Sequence, residues 1–171
     1  MFWRHISYVT AALAVTQAYI VDPLNDNPDI TKTFAELCSD NGFASEAHEV
    51  TTEDGYILTV FRIPGLLGES PSDKPPVFMQ HGVFDSAYGW IMNYPDVSPA
   101  FVAAKAGYDV WLGNSRGNTF SRKHTTYDPD KDGLKFWGTD WSDMGAKDLP
   151  AVFDYLLGKT NHEKLAYIGH S

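Results

Sequence analysis

Three short apolar runs mark the second half of the chain: Val77-Phe78-Met79-Gln80, Tyr108-Asp109-Val110-Trp111-Leu112 and Leu165-Ala166-Tyr167-Ile168. Each is separated from the next by a stretch with helix signals. One helix is expected over residues 99–106, closed by Gly107; another opens with Asp148 as a cap and an early Pro150 and is expected to stop at Gly158. Parallel strands need crossovers of about a dozen residues or more, and these spacings supply them. The alternation therefore selects an α/β sheet, which presents its functional groups at the carboxyl ends of its strands.

The first half reads differently. A lead-in loop with two prolines and several Asp and Asn covers residues 22–30, and a short helix over about 33–39 ends at Asn41-Gly42. Next, Ala47-His48-Glu49-Val50-Thr51-Thr52 and Tyr56-Ile57-Leu58-Thr59-Val60-Phe61-Arg62 flank Glu53-Asp54-Gly55. Asp-Gly between β-rich runs signals an antiparallel hairpin. Residues 64–76, rich in Gly, Pro and Ser, form a surface linker into the first parallel strand. The expected fold is thus α/β, with an N-terminal antiparallel hairpin leading into a mainly parallel sheet.

Hydrophobic residues make up 43% of the chain and aromatics 14%, which fits a buried core and excludes a disordered chain. A formal charge of -9 argues against nucleic acid, whose recognition needs a basic face. At the N-terminus, Arg4 and His5 precede the apolar residues 6–15, and Thr16-Gln17-Ala18 offers small residues for cleavage. Residues 1–18 are therefore expected to be a signal peptide, with 19–171 as the N-terminal part of the folded domain. The apolar run falls short of the roughly 20 residues a transmembrane helix needs, so no membrane span is expected. Cys38 is the one cysteine, in a helix-like run where it packs as a small apolar group, so no disulfide can close within these residues.

The strand at 165–168 delivers Gly169-His170-Ser171, the first half of the G-x-S-x-G turn that mounts a nucleophilic serine between strand and helix. Acyl transfer by a serine also needs backbone N–H donors for the tetrahedral oxyanion, each worth about 2.7–4 kcal/mol. Phe78-Met79-Gln80-His81-Gly82-Val83 has the layout of the upstream donor loop, with the Val83 N–H as the first donor. Ser171 is the candidate nucleophile and Val83 the candidate oxyanion-hole residue. None of the visible histidines suits the role of base: His170 adjoins Ser171 in a tight turn and is expected to pack behind it, His81 is expected to make a structural hydrogen bond, and His124 to anchor a loop.

Met79-Gln80-His81-Gly82, the block Tyr108 through Gly113-Asn114-Ser115-Arg116-Gly117, Ser121-Arg122-Lys123-His124-Thr125-Thr126, Asp148-Leu149-Pro150-Ala151 and the terminal strand resemble the acid lipase family of α/β-hydrolases. The hairpin Thr52-Glu53-Asp54-Gly55-Tyr56 is similar to that family's lipase-associated region, here about 22–85. The resemblance implies a partial α/β-hydrolase fold and a serine-dependent hydrolase of neutral lipid esters, triacylglycerols or cholesteryl esters, taken from a lipid–water interface. It further implies a secreted or lysosomal protein, with no cofactor and no resident metal, and with the triad Asp and His beyond Ser171. On that reading these 171 residues are the N-terminal portion of an enzyme and are expected to be inactive alone. A general carboxylesterase and a non-catalytic, truncated lipid-binding protein are the alternatives.

Two further motifs are weighed. Asp128-Pro129-Asp130-Lys131-Asp132-Gly133 imitates the start of a calcium loop, but the twelfth position is Thr139 rather than a bidentate Glu, so a solvated acidic turn is expected. Arg116 is expected to pin its own loop by hydrogen bonds rather than to bind an anion.

Overall fold

The computed structural model describes residues 28–171; the expected signal peptide and most of the lead-in loop lie outside them. Residues 28–32 are the described part of a first unit that runs to Lys32, and form a 3-10 turn over Pro28–Thr31 with Asp29 and Lys32 paired at 2.7 Å. The main unit begins at Thr33.

Helix α1, Phe34–Asp40, starts where Thr33 and Glu36 exchange side-chain and backbone hydrogen bonds in a capping box. It ends at Asn41, as the Asn-Gly pair predicts. Strands β1 (Glu46–Thr51) and β2 (Tyr56–Ile63) pair antiparallel, from Glu46 opposite Arg62 to Thr51 opposite Ile57. The turn between them places Gly55 at φ +97°, a conformation that glycine adopts without the steric cost of a Cβ. After the linker come β3 (Val77–Gln80), helix α2 (Pro99–Lys105), β4 (Val110–Leu112) and the short β5 (Lys123–His124). Two short helices, α3 (Leu134–Trp137) and α4 (Trp141–Asp143), precede a π-type stretch, Met144–Asp148, that runs into α5 (Leu149–Thr160). Strand β6, Ala166–Gly169, follows.

The sheet order is β1-β2-β4-β3-β6, with β5 on the side of β2. It is mixed: β4, β3 and β6 run parallel, while β2 is antiparallel to β1, β4 and β5. The chain steps from β3 to β4 on one side and then returns through α5 to β6 on the other. This change of direction opens a crevice at the carboxyl end of β3.

Strand alternation divides the core between the two faces. Phe61, Ile63, Val77, Met79, Val110 and Leu112 pack with α1 and α2 on one side. Leu58, Val60, Phe78 and Trp111 pack with Phe136 of α3 and Val152 and Leu156 of α5 on the other. Central strands buried on both faces read as continuous apolar runs, which is why β3 and β4 were visible in the sequence. Cys38 lies fully buried in the first layer, and burial pushes its thiol up to about 12 against a hydrogen bond with Ser45, as befits an inert packing residue.

Two boundaries differ from the sequence reading. Helix α5 does not stop at Gly158; it continues to Thr160 and is closed by Asn161 in the left-handed conformation at φ +55°. An exposed glycine interrupts no packing and costs only about 1 kcal/mol, less than the tertiary contacts return. Strand β4 begins at Val110, opposite Ile63 at the end of β2, because the following Pro64 has no N–H to extend that ladder; the Asp109 carboxylate forms a buried pair with Arg62 at 2.8 Å and accepts from the Trp111 indole at 3.0 Å. Among the described residues, no helix is long and apolar enough to cross a membrane.

Candidate active site

The carboxyl ends of β3, β4 and β6 bring three loops together. Strand pairing continues past the strands themselves: the His170 N–H donates to Gln80 O at 3.0 Å, and the Gly113 N–H to Met79 O at 3.0 Å. The last turn of the chain is thereby held beside His81-Gly82, and the loop after β4 lies on the opposite flank.

Ser171 sits at φ +59°, a left-handed conformation that costs a residue with a Cβ roughly 1–2 kcal/mol. Strain of this kind at a polar residue marks a site whose side-chain direction matters more than local comfort. Gly82 touches it directly. A Cβ on Gly82 would lie 2.9 Å from Ser171 Cβ and 3.0 Å from His170 O, closer than side chains approach one another, so only glycine lets the β3 loop meet the serine. The next residue, Val83, exposes its side chain, and among the described residues no acceptor takes its N–H. Phe84 then adopts φ +63°, with its side chain exposed.

A cavity of about 720 Å³ opens over this junction. Ser171, His170 and Gly82 form one edge, and Phe84, Trp141 and Met144 contribute apolar walls. A mostly apolar chamber with few convergent polar groups suits a hydrophobic ligand with one polar reacting centre.

The histidines are otherwise engaged. His81 is buried, with Nδ1 2.7 Å from Gly82 O and Nε2 3.1 Å from the Ser115 N–H, which matches the structural hydrogen bonding expected for it. His124 anchors its loop as expected: Nε2 lies 2.9 Å from Asp54 O, and Nδ1 accepts from the N–H groups of Thr126 and Tyr127. His170 departs from the reading that it packs behind the turn. Its ring is exposed at the cavity edge, with Trp90 edge-on at 6.5 Å.

Arg116 carries the largest electrostatic feature that the sequence only hinted at. Its side chain is fully buried; Nε and Nη2 donate to Asp148 Oδ1 at 2.9 and 2.6 Å, and Nη1 and Nη2 donate to Asp54 at 2.8 and 3.1 Å. The guanidinium also stacks 4.1 Å over the Tyr56 ring. The hairpin turn, the loop after β4 and the start of α5 are thus tied together at one cavity wall. Burial resists the charge on Arg116, but the hydrogen bonds it donates to the two carboxylates outweigh it and hold the guanidinium above its ordinary value. For Asp54, burial is likewise outweighed, by hydrogen bonds from Arg116, Thr52 and Lys147, which hold the carboxyl well below its usual range. Asp148 goes the other way: burial pushes its carboxyl up despite Arg116, and its second oxygen has no partner among the described residues. The pairing of Arg116 with residues 62 and 32 positions away carries no local sequence signal.

The acidic turn at 128–132 spends its carboxylates locally, on the Asp128 and Asp130 N–H groups and on Lys131 and Arg122. Among the described residues, no group of three or more His, Cys, Asp or Glu is arranged to hold a metal ion.

The chain is similar to known proteins over most of its length. Residues 75–171 match the alpha/beta hydrolase fold, and residues 34–94 match the partial alpha/beta-hydrolase lipase region. Gastric triacylglycerol lipase of Mus musculus is 47% identical over 149 residues, covering 85% of this chain and 37% of that protein. Lipase member N of Homo sapiens is 49% identical over 148 residues, covering 85% and 36%. Lipase 1 of Drosophila melanogaster is 47% identical over 147 residues, covering 86% and 32%. The chain therefore spans about a third of the length of these relatives. An esterase of Pyrococcus furiosus superposes with a TM-score of 0.52 at 23% identity, over 77% of this chain and 43% of that one, a likeness of fold.

Proposed function

The chain belongs to the α/β-hydrolase family, and from that premise we propose that it supplies the nucleophile and half of the oxyanion hole of a serine lipase acting on triacylglycerols or cholesteryl esters. The observation that carries this reading is the contact between a left-handed Ser171 and a glycine that admits no side chain, at the carboxyl ends of adjacent parallel strands. The relatives named as lipases and the apolar cavity support the substrate class.

In the proposed reaction Ser171 Oγ attacks the ester carbonyl and gives its proton to a histidine, which an aspartate orients; both are assigned to the full-length protein outside these residues. The negative charge that develops on the carbonyl oxygen is met by the Val83 N–H and by the N–H of the residue following the serine. Collapse of the tetrahedral intermediate breaks the bond to the alcohol, which leaves with the proton from the histidine. Water, deprotonated by the same base, then releases the fatty acid and restores Ser171.

A fluorophosphonate carrying a long alkyl chain tests the assignment. In the full-length protein it is expected to modify Ser171 alone, in one-to-one stoichiometry by peptide mass spectrometry, with parallel loss of triacylglycerol and cholesteryl ester hydrolysis. Modification of another serine, with Ser171 untouched, refutes the assignment. Hydrolysis confined to short, water-soluble esters removes the lipid part of the proposal and favours a carboxylesterase.

The segment Arg4 through Ala18 supports entry into the secretory route, toward the exterior or the lysosome. The mature protein purified from culture medium or lysosomes is then expected to begin at Tyr19 by N-terminal sequencing. An intact Met1 there overturns the assignment.

A further inference from the structure

We propose that His81 is a positioning residue that sets the direction of the oxyanion donor, acting through the carbonyl of Gly82. The inference deepens the reading of Val83 as that donor and rests on it.

The ring nitrogens are assigned by their partners. The Ser115 backbone N–H can only donate, and it points at Nε2 from 3.1 Å; the Asn118 amide nitrogen also faces Nε2, at 3.3 Å. Nε2 is therefore an acceptor, and the proton of the neutral ring resides on Nδ1. Nδ1 lies 2.7 Å from Gly82 O, which can only accept. The imidazole thus bridges two loops at the ends of β3 and β4, with its tautomer fixed by a main-chain donor on one side.

The carbonyl that His81 holds is not an arbitrary one. Gly82 C=O and Val83 N–H belong to the same planar trans peptide and point in opposite directions, so fixing the oxygen fixes the hydrogen. The constraint is needed at this position. Gly82 must lack a Cβ to meet Ser171, and the backbone freedom that follows would let the 82–83 peptide plane rotate. The Asp85 N–H also reaches Gly82 O, but at 3.3 Å it is the weaker of the two restraints. A buried ring with both nitrogens engaged supplies what the glycine cannot. Among the described residues the Val83 N–H is left without a protein partner, and its direction is set by the buried neighbour.

Two isosteres separate the two ring contacts in the full-length protein. His81→Asn keeps an amide donor where Nδ1 stands, and His81→Gln keeps an acceptor where Nε2 stands. His81→Gln is expected to lower kcat about tenfold to a hundredfold, short of the 10²–10³ cost of deleting a donor, with KM within about twofold. His81→Asn is expected to retain kcat within about threefold of the parent. Loss of kcat in His81→Asn with His81→Gln at the parent level, at unchanged Tm, would assign the effect to the Ser115 tie and overturn the proposal, as would equal losses in both or full kcat in both. If a variant does not fold, ring ¹⁵N shifts of the unsubstituted protein decide: protonated Nδ1 with bare Nε2 is expected, and the opposite tautomer overturns the inference. Fluorophosphonate modification of Ser171 keeps the two readings apart. If it occurs while His81→Gln retains parent kcat, only the role of His81 is lost; if it fails, the site itself is wrongly assigned.

Discussion

Ser171→Ala in the full-length protein is expected to lower ester turnover by about 10⁶-fold, since a nucleophilic serine and its base act as one unit. Binding of a non-hydrolysable ester analogue should stay within a few-fold, because the cavity walls at Phe84, Trp141 and Met144 are untouched. A residual turnover above about one per cent of the parent would show that Ser171 is not the attacking group. The same position makes a second, independent demand. At φ +59° a Cβ is strained, so Ser171→Gly, equally inactive, is expected to be about 1 kcal/mol more stable than Ser171→Ala by denaturant midpoint. Equal midpoints would mean that the serine turn carries no backbone strain and that its conformation is not held against a local preference.

Arg116→Met should cost about 3–5 kcal/mol of stability at pH 7, the range for breaking a buried pair by removing one partner. Asp148, 5% exposed and with one oxygen already unpartnered, would keep its charge with nothing to balance it. The pH dependence has a definite sign. Asp54 is depressed in the folded protein, so its pairing contributes stability that is fully present above its unfolded value of about 3.9 and is lost as the pH falls toward the folded value. Asp148 is raised by burial, and without Arg116 it would be raised further, so the variant regains stability as Asp148 takes up a proton. Proton uptake by Asp148 therefore shrinks the deficit of Arg116→Met between pH 7 and about pH 4, and loss of the Asp54 pairing in the parent shrinks it further only below that. Chemical denaturation at the two pH values checks this, and a deficit that is constant or grows on acidification contradicts the account. Arg116→Lys would not restore the parent, because a point charge on a flexible stem cannot donate to Asp148 and Asp54 together while stacking on Tyr56.

Much of the framework could be read from local chemistry. The capping box at Thr33 and Glu36, the Asp-Gly turn at 54–55, the early Pro150 and the apolar runs of β3 and β4 each involve residues within a few positions of one another. The short helices between 134 and 148 were missed, because their apolar residues are too few for a periodic face and Gly133 and Gly138 break the pattern. The end of α5 was placed too early for the opposite reason: Gly158 is a strong local signal on an exposed surface, where tertiary packing outweighed it.

The sequence by itself determined the order of the main elements, the division between an antiparallel hairpin and a parallel α/β half, and the choice of Val83 and Ser171 as candidate site residues. These follow from propensity, period and spacing, which act over one strand or one turn. Tertiary structure alone decided that β3 lies between β4 and β6, and so which loops share the crevice. It also decided that Gly82 abuts Ser171, that His81 bridges from Gly82 to Ser115, and that Arg116 gathers Asp54 and Asp148. Such contacts join residues from about 30 to about 90 positions apart, where the chain carries no correlation of its own. Only the burial of both sheet faces, with the crossover helices that it requires, brings them within hydrogen-bonding distance.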